Sequence, residues 1–328
     1  MPQSRVWTGD PLTPQALAII ESAAEVFVSK IGELNDWYAE AASADALFLR
    51  GNTRFTGAEM DRVGPRLRII ARAGIGVDGI DLDAATERGI QVINTPDGPT
   101  ESTAEHAVAL MLNLLKQVMI GDRLLRSGRG FPSTRNAIVG VEALGTTLGL
   151  VGLGRIGSRV ATIANALGMR VLSFDPFITP ERAASLHVEM LPSLAELLQL
   201  SQVISLHCPS TPETYHIISA ETLALMPEGS FLINVARGAL IDHSALFTAL
   251  LSGHLAGAAL DVFEPEPPRP NDPLFSLPNI ICTPHIGSFT AAGLVRMQVM
   301  ASEQVVSALR GERPTTLVNS SVWGHQRT

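Results

Sequence analysis

Apolar positions along the chain follow two spacings that alternate from one end to the other. Short β-branched runs of strand length, SRVWTG, AEVFVS, ADALFLR, LRIIARA and IQVINT, are separated by stretches with helical spacing such as PQALAIIESAA and DLDAATERG. This alternation predicts a parallel sheet with crossover helices rather than a stack of hairpins. INTPDGPT stops the first series, and residues 101–127 then read as one long amphipathic helix, with Thr100 or Ser102 as its N-cap and Gly128 beyond its end. After the loop-rich GRGFPSTRNAIVGVEALG a second, more regular series of strands runs TTLGLVGLG, RVLSFD, QVISLHC, SFLINVAR, AGAALDV and IICTPHIG. A last helix is predicted over 290–310. The fold class expected is α/β, with two doubly wound parallel-sheet domains and a chain that crosses between them twice.

Two turns match G-x-G-x-x-G: Gly74, Gly76, Gly79 in GIGVDG and Gly152, Gly154, Gly157 in GLGRIG. The bare pattern is weak, and context separates the two. A dinucleotide site needs a strand before the turn and a helix starting at it, so that free N–H groups meet the pyrophosphate. It also needs an acidic residue about 20 residues on for the ribose. GLGRIG has all three: TTLGLV precedes it, RIGSRVATIANALG follows, and VLSFD ends in Asp175. GIGVDG instead carries Asp78, Asp81 and Asp83, which would repel a pyrophosphate, and it is rejected as a dinucleotide loop. Asp175 has a second reading as a turn residue before Pro176. If it reaches the ribose, its charge favours NAD over NADP, with Arg182 near enough to oppose that preference.

Ligands of open parallel sheets bind beyond the carboxyl ends of the strands. In the second series those ends deliver Cys208 and Pro209, Arg237, Asp261 with Glu266 just past it, and His285. Arg237 can clamp a carboxylate with two parallel hydrogen bonds, and His285 can exchange a hydroxyl proton near neutral pH. A carboxylate behind the imidazole fixes its tautomer, a role open to Glu266. Read singly, Arg237 is equally a surface residue at a strand end, Glu266 a solvated charge in EPEPPRPNDP, and His285 a cap of the last helix. Cys208 and Cys282 read as small buried hydrophobes, because neither has an activating motif beside it.

The balance of 24 basic against 32 acidic residues in 328 leaves a net charge of −8, which argues against nucleic acid or anionic membrane as a partner. Only Lys30 and Lys116 are lysines, so arginine must recognise any anion. No apolar run reaches the roughly 18 residues of a membrane span, and the start MPQSRVWTGD lacks a signal-peptide pattern. Two cysteines are too few for a disulfide framework and lack metal-ligand spacing, so no metal and a reducing cytoplasm are expected.

RAGIGVDGIDLDAATERGIQVINTP, STAEHAVALML, LGLVGLGRIGSRVA, NVARGALID, GAALDVFEPEP and TPHIGS, in this order, resemble the D-isomer-specific 2-hydroxyacid dehydrogenases over about residues 45–320. The resemblance implies a Rossmann NAD domain, 99–284, inserted into a flavodoxin-like substrate domain made of 1–98 and 285–328. It implies catalysis by Arg237 on the substrate carboxylate, His285 as acid/base and Glu266 behind it. Cofactor contacts implied are Gly152, Gly154, Arg155, Ile156, Gly157, Asp175, Cys208, Pro209, Thr214, Val235, Ala236 and Asp261, the last near the nicotinamide amide. Substrate contacts implied are Ile75 and Gly76 of the rejected GIGVDG turn, with Arg237. LFLRGNTRFT and IIARAGIGVD resemble the 3-phosphoglycerate dehydrogenase branch, in which Arg50 and Arg72 would approach a phosphate; their other reading is structural arginines at strand ends. Phe131 and Thr146 stand where the family usually has an aromatic residue and a lysine, and no regulatory domain is expected after Thr328. The family implies a homodimer acting on a small 2-hydroxy or 2-oxo acid. Hydroxypyruvate and glyoxylate reductases share the same site, dehydrogenases acting on formate or phosphite are disfavoured by Glu266, and NAD(H)-responsive co-repressors that resemble the family are the rival of another class.

Overall fold

The computed structural model describes residues 4–29, 37–49, 51, 54–128, 135 and 138–327. They form two compact units, one of Met1–Pro99 with Phe289–Thr328 and one of Thr100–Ser288. Both are α/β with a single parallel sheet, which is the fold class read from the alternating pattern.

In the first unit β1 (Ser4–Thr8), β2 (Ala24–Val28), β3 (Ala46–Leu49), β4 (Ile69–Arg72) and β5 (Gln91–Ile93) are ordered β2-β1-β3-β4-β5, the flavodoxin order. Successive residues of a strand point to opposite faces, and here both faces are covered. Val6, Ala46, Phe48, Ile69 and Ile93 pack with Met297, Ala301 and Val305 of the helix Ala291–Leu309. Their neighbours Trp7, Leu47, Ile70 and Val92 pack with Trp37, Met60 and Leu67 on the other side. Two-sided burial explains why these strands read as continuous apolar runs. Asn319 of the C-terminal stretch accepts from Val92 N at 2.9 Å and donates to Ile90 O at 2.9 Å, which ties that stretch to β5.

In the second unit β6 (Thr147–Val151), β7 (Arg170–Phe174), β8 (Glu189–Met190), β9 (Val203–Leu206), β10 (Ser230–Asn234), β11 (Leu255–Leu260) and β12 (Ile280–Cys282) are ordered β12-β11-β10-β9-β6-β7-β8. The order reverses beside β6, at the point where a dinucleotide is held in doubly wound sheets. Helices Thr100–Lys116 and Arg155–Ala166 cover one face over Leu148, Leu150, Val171 and Ile233. Leu197, Leu246 and Leu250 cover the other over Leu172, Ile204, Leu232 and Leu260.

Two expectations change. The single helix over 101–127 is two helices, Thr100–Lys116 and Val118–Arg126, broken at Gln117 with φ 53°. Asn113 Oδ1 takes the Met119 N–H at 3.1 Å and Gln117 Nε2 donates to Val139 O at 3.0 Å, so side-chain bonds stabilise the break. The inserted unit also ends at Ser288 rather than at residue 284. The reason is local: Ile286 and Gly287 donate backbone N–H groups at 2.8 Å to the buried Asp261, which keeps His285 with the second sheet.

Candidate active site

β6 runs straight into Gly152, whose φ of 97° is left-handed. A Cβ there would lie 2.9 Å from Cys208 N and from the His207 carbonyl carbon at the end of the neighbouring strand, so the turn needs glycine. At Gly157 a Cβ would collide with the Gly152 carbonyl, which lets the helix Arg155–Ala166 start hard against the turn. Gly154 is the N-cap of that helix, forms no side-chain cap, and has nothing within 4 Å of its Cβ position. The helix therefore opens onto a cradle whose N-cap residue has no side chain to cap its amides, a fit for a diphosphate. Arg155 is exposed in the first turn and Ile156 packs on the core. Asp175, at the end of β7, accepts from Leu153 N at 2.8 Å through one oxygen and from Phe177 N at 2.9 Å through the other. Each oxygen keeps a further lone pair for a ribose hydroxyl.

The loop after β9 is closed by Thr214, whose hydroxyl donates to Pro209 O at 2.8 Å and accepts from Thr211 N at 2.8 Å. Val235 is buried and Ala236 partly so. Burial, with Asp175 adding to it, pushes the Cys208 thiol up to about 11, and burial likewise pushes Cys282 up to about 11, so both are protonated and unreactive at neutral pH. Burial pushes His207 down to about 4 and keeps it neutral.

β10, β11 and β12 are adjacent and parallel, so their carboxyl ends share one edge of the sheet. There His285 Nδ1 and Glu266 Oε1 lie 2.5 Å apart. His285 has φ 55°. Arg237 sits in a turn built by the fully buried Asn234, whose Oδ1 accepts from Ala236 N at 3.0 Å and whose Nδ2 donates to Arg237 O at 2.8 Å. The next residue, Gly238, lies with its Cα face on the Phe263 backbone, where a Cβ would be 2.6 Å from Phe263 Cα and nearer still to its carbonyl. The loops carrying Arg237 and Glu266 thus touch backbone to backbone. Asp261 accepts from Thr283 Oγ1 at 2.6 Å as well as from Ile286 and Gly287. Burial raises its carboxyl, but hydrogen bonds from His106, Thr283, Ile286 and Gly287 outweigh that and hold it below the ordinary range.

In the first unit the GIGVDG turn follows β4. The helix after it, Leu82–Glu87, is capped by Asp81, which accepts from Ala84 N at 2.9 Å. This blocks the amides a pyrophosphate would need. The turn is held by Asn94 Nδ2 on Ile75 O at 2.8 Å, Thr95 N on Gly74 O at 2.9 Å and Arg72 Nε on Gly76 O at 3.2 Å. Leu49, Gly51, Arg72, Gly76 and Asp78 line a small cavity beside it. Arg50 and Phe131 lie outside the described residues. Thr146 is buried and donates to Glu142 O at 2.5 Å. Asn94, Asn234, Gly238 and Thr283 are not singled out by the sequence, although Asn234 and Gly238 flank Arg237 within NVARGALID, and His106 reads there only as a weaker candidate on the face of the long helix.

Residues 108–287 match the model of the D-isomer specific 2-hydroxyacid dehydrogenase, NAD binding domain. The chain belongs to that family. Its second unit is accordingly an NAD-binding domain, and the cradle at Gly154 with Asp175 suits that cofactor. This family member is 40% identical to D-3-phosphoglycerate dehydrogenase of Methanocaldococcus jannaschii over 315 residues, 96% of the chain and 59% of the relative. It thus spans about three fifths of the length of that relative. The crystal structure of the TT0316 protein from Thermus thermophilus superposes with a TM-score of 0.88 at 40% identity, covering 96% of this chain and 99% of that one. A glyoxylate reductase from Paecilomyes thermophila superposes with a TM-score of 0.85 at 29% identity, covering 97% and 99%. Among the described residues no helix is long and apolar enough to cross a membrane, and no cluster of metal-binding side chains occurs.

Proposed function

We propose that this protein is an NAD-dependent dehydrogenase that interconverts a (2R)-hydroxy acid and its 2-oxo acid, with D-3-phosphoglycerate and 3-phosphohydroxypyruvate as the substrate pair. The observation that carries the chemistry is the 2.5 Å contact of Glu266 Oε1 with His285 Nδ1 at the edge of an NAD-binding sheet that also presents Arg237. With Nδ1 committed to Glu266, Nε2 is the nitrogen left to give a proton to the substrate oxygen in reduction and to take it in oxidation. Glu266 fixes that tautomer and offsets the charge of the imidazolium. Arg237 binds the substrate carboxylate, and its planar fork orients C2. Bound NAD supplies or accepts the hydride at C2.

The phosphorylated substrate is supported by the relatives of that name at about 40% identity and by Arg72, which lines a cavity at the end of β4 beside Gly76. Ile75 and Gly76 would offer backbone to the carboxylate, and Arg50 is the other candidate for the phosphate. A second reading, hydroxypyruvate or glyoxylate reduction, is favoured by the likeness to the Paecilomyes enzyme. A homodimer is proposed from the apolar side chains Val118, Leu125, Val139 and Leu144, all exposed on the second unit. The free Cys208 and Cys282 support a reducing, cytoplasmic location.

The test is NADH oxidation followed by absorbance with 3-phosphohydroxypyruvate, hydroxypyruvate and glyoxylate side by side. The highest kcat/KM is expected on the phosphorylated acid. A preference for hydroxypyruvate or glyoxylate overturns the substrate, and no turnover on any 2-oxo acid overturns the activity in favour of an NAD(H)-responsive binding role.

A further inference from the structure

The His285 loop is fastened from behind by a relay that begins on a different element. Asp261 at the end of β11 accepts from Thr283 Oγ1 at 2.6 Å, from Ile286 N at 2.8 Å and from Gly287 N at 2.8 Å. These groups bracket His285 on both sides in the chain, and the His285 N–H closes a tight turn on Thr283 O at 3.0 Å. At the far end stands His106 of the helix Thr100–Lys116, with Nε2 3.2 Å from Thr283 Oγ1 and 3.5 Å from Asp261 Oδ1. An ionised carboxylate can only accept, so the single Thr283 hydroxyl proton goes to Asp261. The Thr283 oxygen then offers His106 only lone pairs, and His106 Nε2 must be the donor. The direction is therefore fixed: His106 Nε2–H is shared between Thr283 Oγ1 and Asp261 Oδ1, and Thr283 Oγ1–H is given to Asp261. The imidazole also packs at the foot of the loop, where its Cδ2 lies 3.6 Å from the Cβ position of Gly287. Its side chain is 19% exposed and that of Asp261 2%, so water has little access to replace the bond.

We propose that His106 is a positioning residue for the acid/base His285, acting through Thr283 and Asp261. The inference rests on the assignment of His285 made above. The φ of 55° at His285 is left-handed, uncommon for a residue with a side chain, and the bonds from Thr283, Ile286 and Gly287 to Asp261 hold the loop around it. His106 sets the Thr283 hydroxyl toward Asp261, and Asp261 in turn holds the two amides that follow His285. Loss of the donor frees the Thr283 rotor and loosens that grip, while Glu266, Arg237 and the glycine cradle are left as they were.

The test uses the full chain with His106→Phe, which keeps a flat ring without a donor, His106→Gln, which restores an N–H near Nε2, and Thr283→Val. Amide hydrogen exchange over residues 284–288 is read without substrate, and kcat is read on the best 2-oxo acid with NADH affinity measured separately. His106→Phe and Thr283→Val are expected to speed exchange in that segment and to lower kcat by about tenfold each, the ratio for one hydrogen bond on a charged relay. Because both side chains bear on the same carboxylate, the double variant should fall by less than the product of the two single losses, His106→Gln should recover most of the loss, and NADH affinity should stay within about twofold. Wild-type exchange and kcat in His106→Phe would overturn the proposal, as would losses in the two single variants that add in full. His285→Ala separates the two levels: if it keeps turnover, the acid/base assignment falls first, and if it is inactive while His106→Phe behaves as wild type, only the relay falls.

Discussion

Gly238→Ala probes the contact that couples the arginine loop to the glutamate loop. The added methyl would sit 2.6 Å from Phe263 Cα and closer to its carbonyl carbon and oxygen, all of them backbone atoms that cannot rotate away. Gly238 is buried, so the methyl has no route to solvent either. To reach an ordinary contact the two backbones must part by roughly an ångström, and overpacking of this kind costs about 1–3 kcal/mol. The displacement falls one residue after Arg237 and three before Glu266. A reacting group misplaced by about 1 Å costs on the order of 10²-fold in rate, or about 2.7 kcal/mol of transition-state stabilisation. The assay is kcat/KM for NADH-dependent reduction beside thermal unfolding of the same preparation, with NADH affinity as the control. A fall of about 10² in kcat/KM is expected, with Tm lowered by several degrees and NADH affinity nearly unchanged. Gly154→Ala is the opposite case, because nothing lies within 4 Å of its Cβ and it should leave Tm alone while weakening NADH. Wild-type kcat/KM in Gly238→Ala would refute the idea that Arg237 and Glu266 are held in register through this backbone contact.

Glu266→Gln keeps the shape beside His285 Nδ1 but removes the charge, and kcat should fall by about 10²–10⁴ in steady-state turnover with little change in KM. Arg237→Lys should raise the KM of the 2-oxo acid strongly, since an ammonium cannot form the paired bonds, while NADH titration by fluorescence stays near wild type. Asp175→Asn should weaken NADH and narrow its advantage over NADPH, measured as the ratio of the two kcat/KM values. The Asp261 carboxyl is held below its unfolded value, so it contributes stability that is full above an unfolded pKa of about 3.9 and lost as pH falls through the folded one. Asp261→Asn should therefore lower Tm most at neutral pH, with the gap to wild type closing toward the acid limb.

What could be read in advance, and what could not, divides along a physical line. Every described strand but β8 was legible, because a parallel sheet covered on both faces makes each strand a largely apolar run; β8, two residues long and at an edge, offered no such run. GLGRIG was separable from GIGVDG because strand, helix and distant acid are all local in sequence, and the structure adds the reason the second turn fails: Asp81 takes the helix cap for itself. The break at Gln117 had no glycine or proline to announce it, since its support comes from Asn113 and from the Val139 carbonyl. Asn234 and Gly238 were hidden, and His106 read only as a histidine on a helix face, for a related reason. Each acts on a neighbouring strand end or its loop rather than on a ligand, through a turn, a missing side chain or a relayed proton donor. Reactive groups at strand ends declare themselves by residue type, whereas the groups that aim them are chosen by where the sheet brings β10, β11 and β12 together. Arg237, Glu266 and His285 are each carried on a loop tied by its backbone to a strand end, so a substitution in the ties should alter kcat before it alters NADH binding, the reverse of what substitutions in the glycine cradle should do.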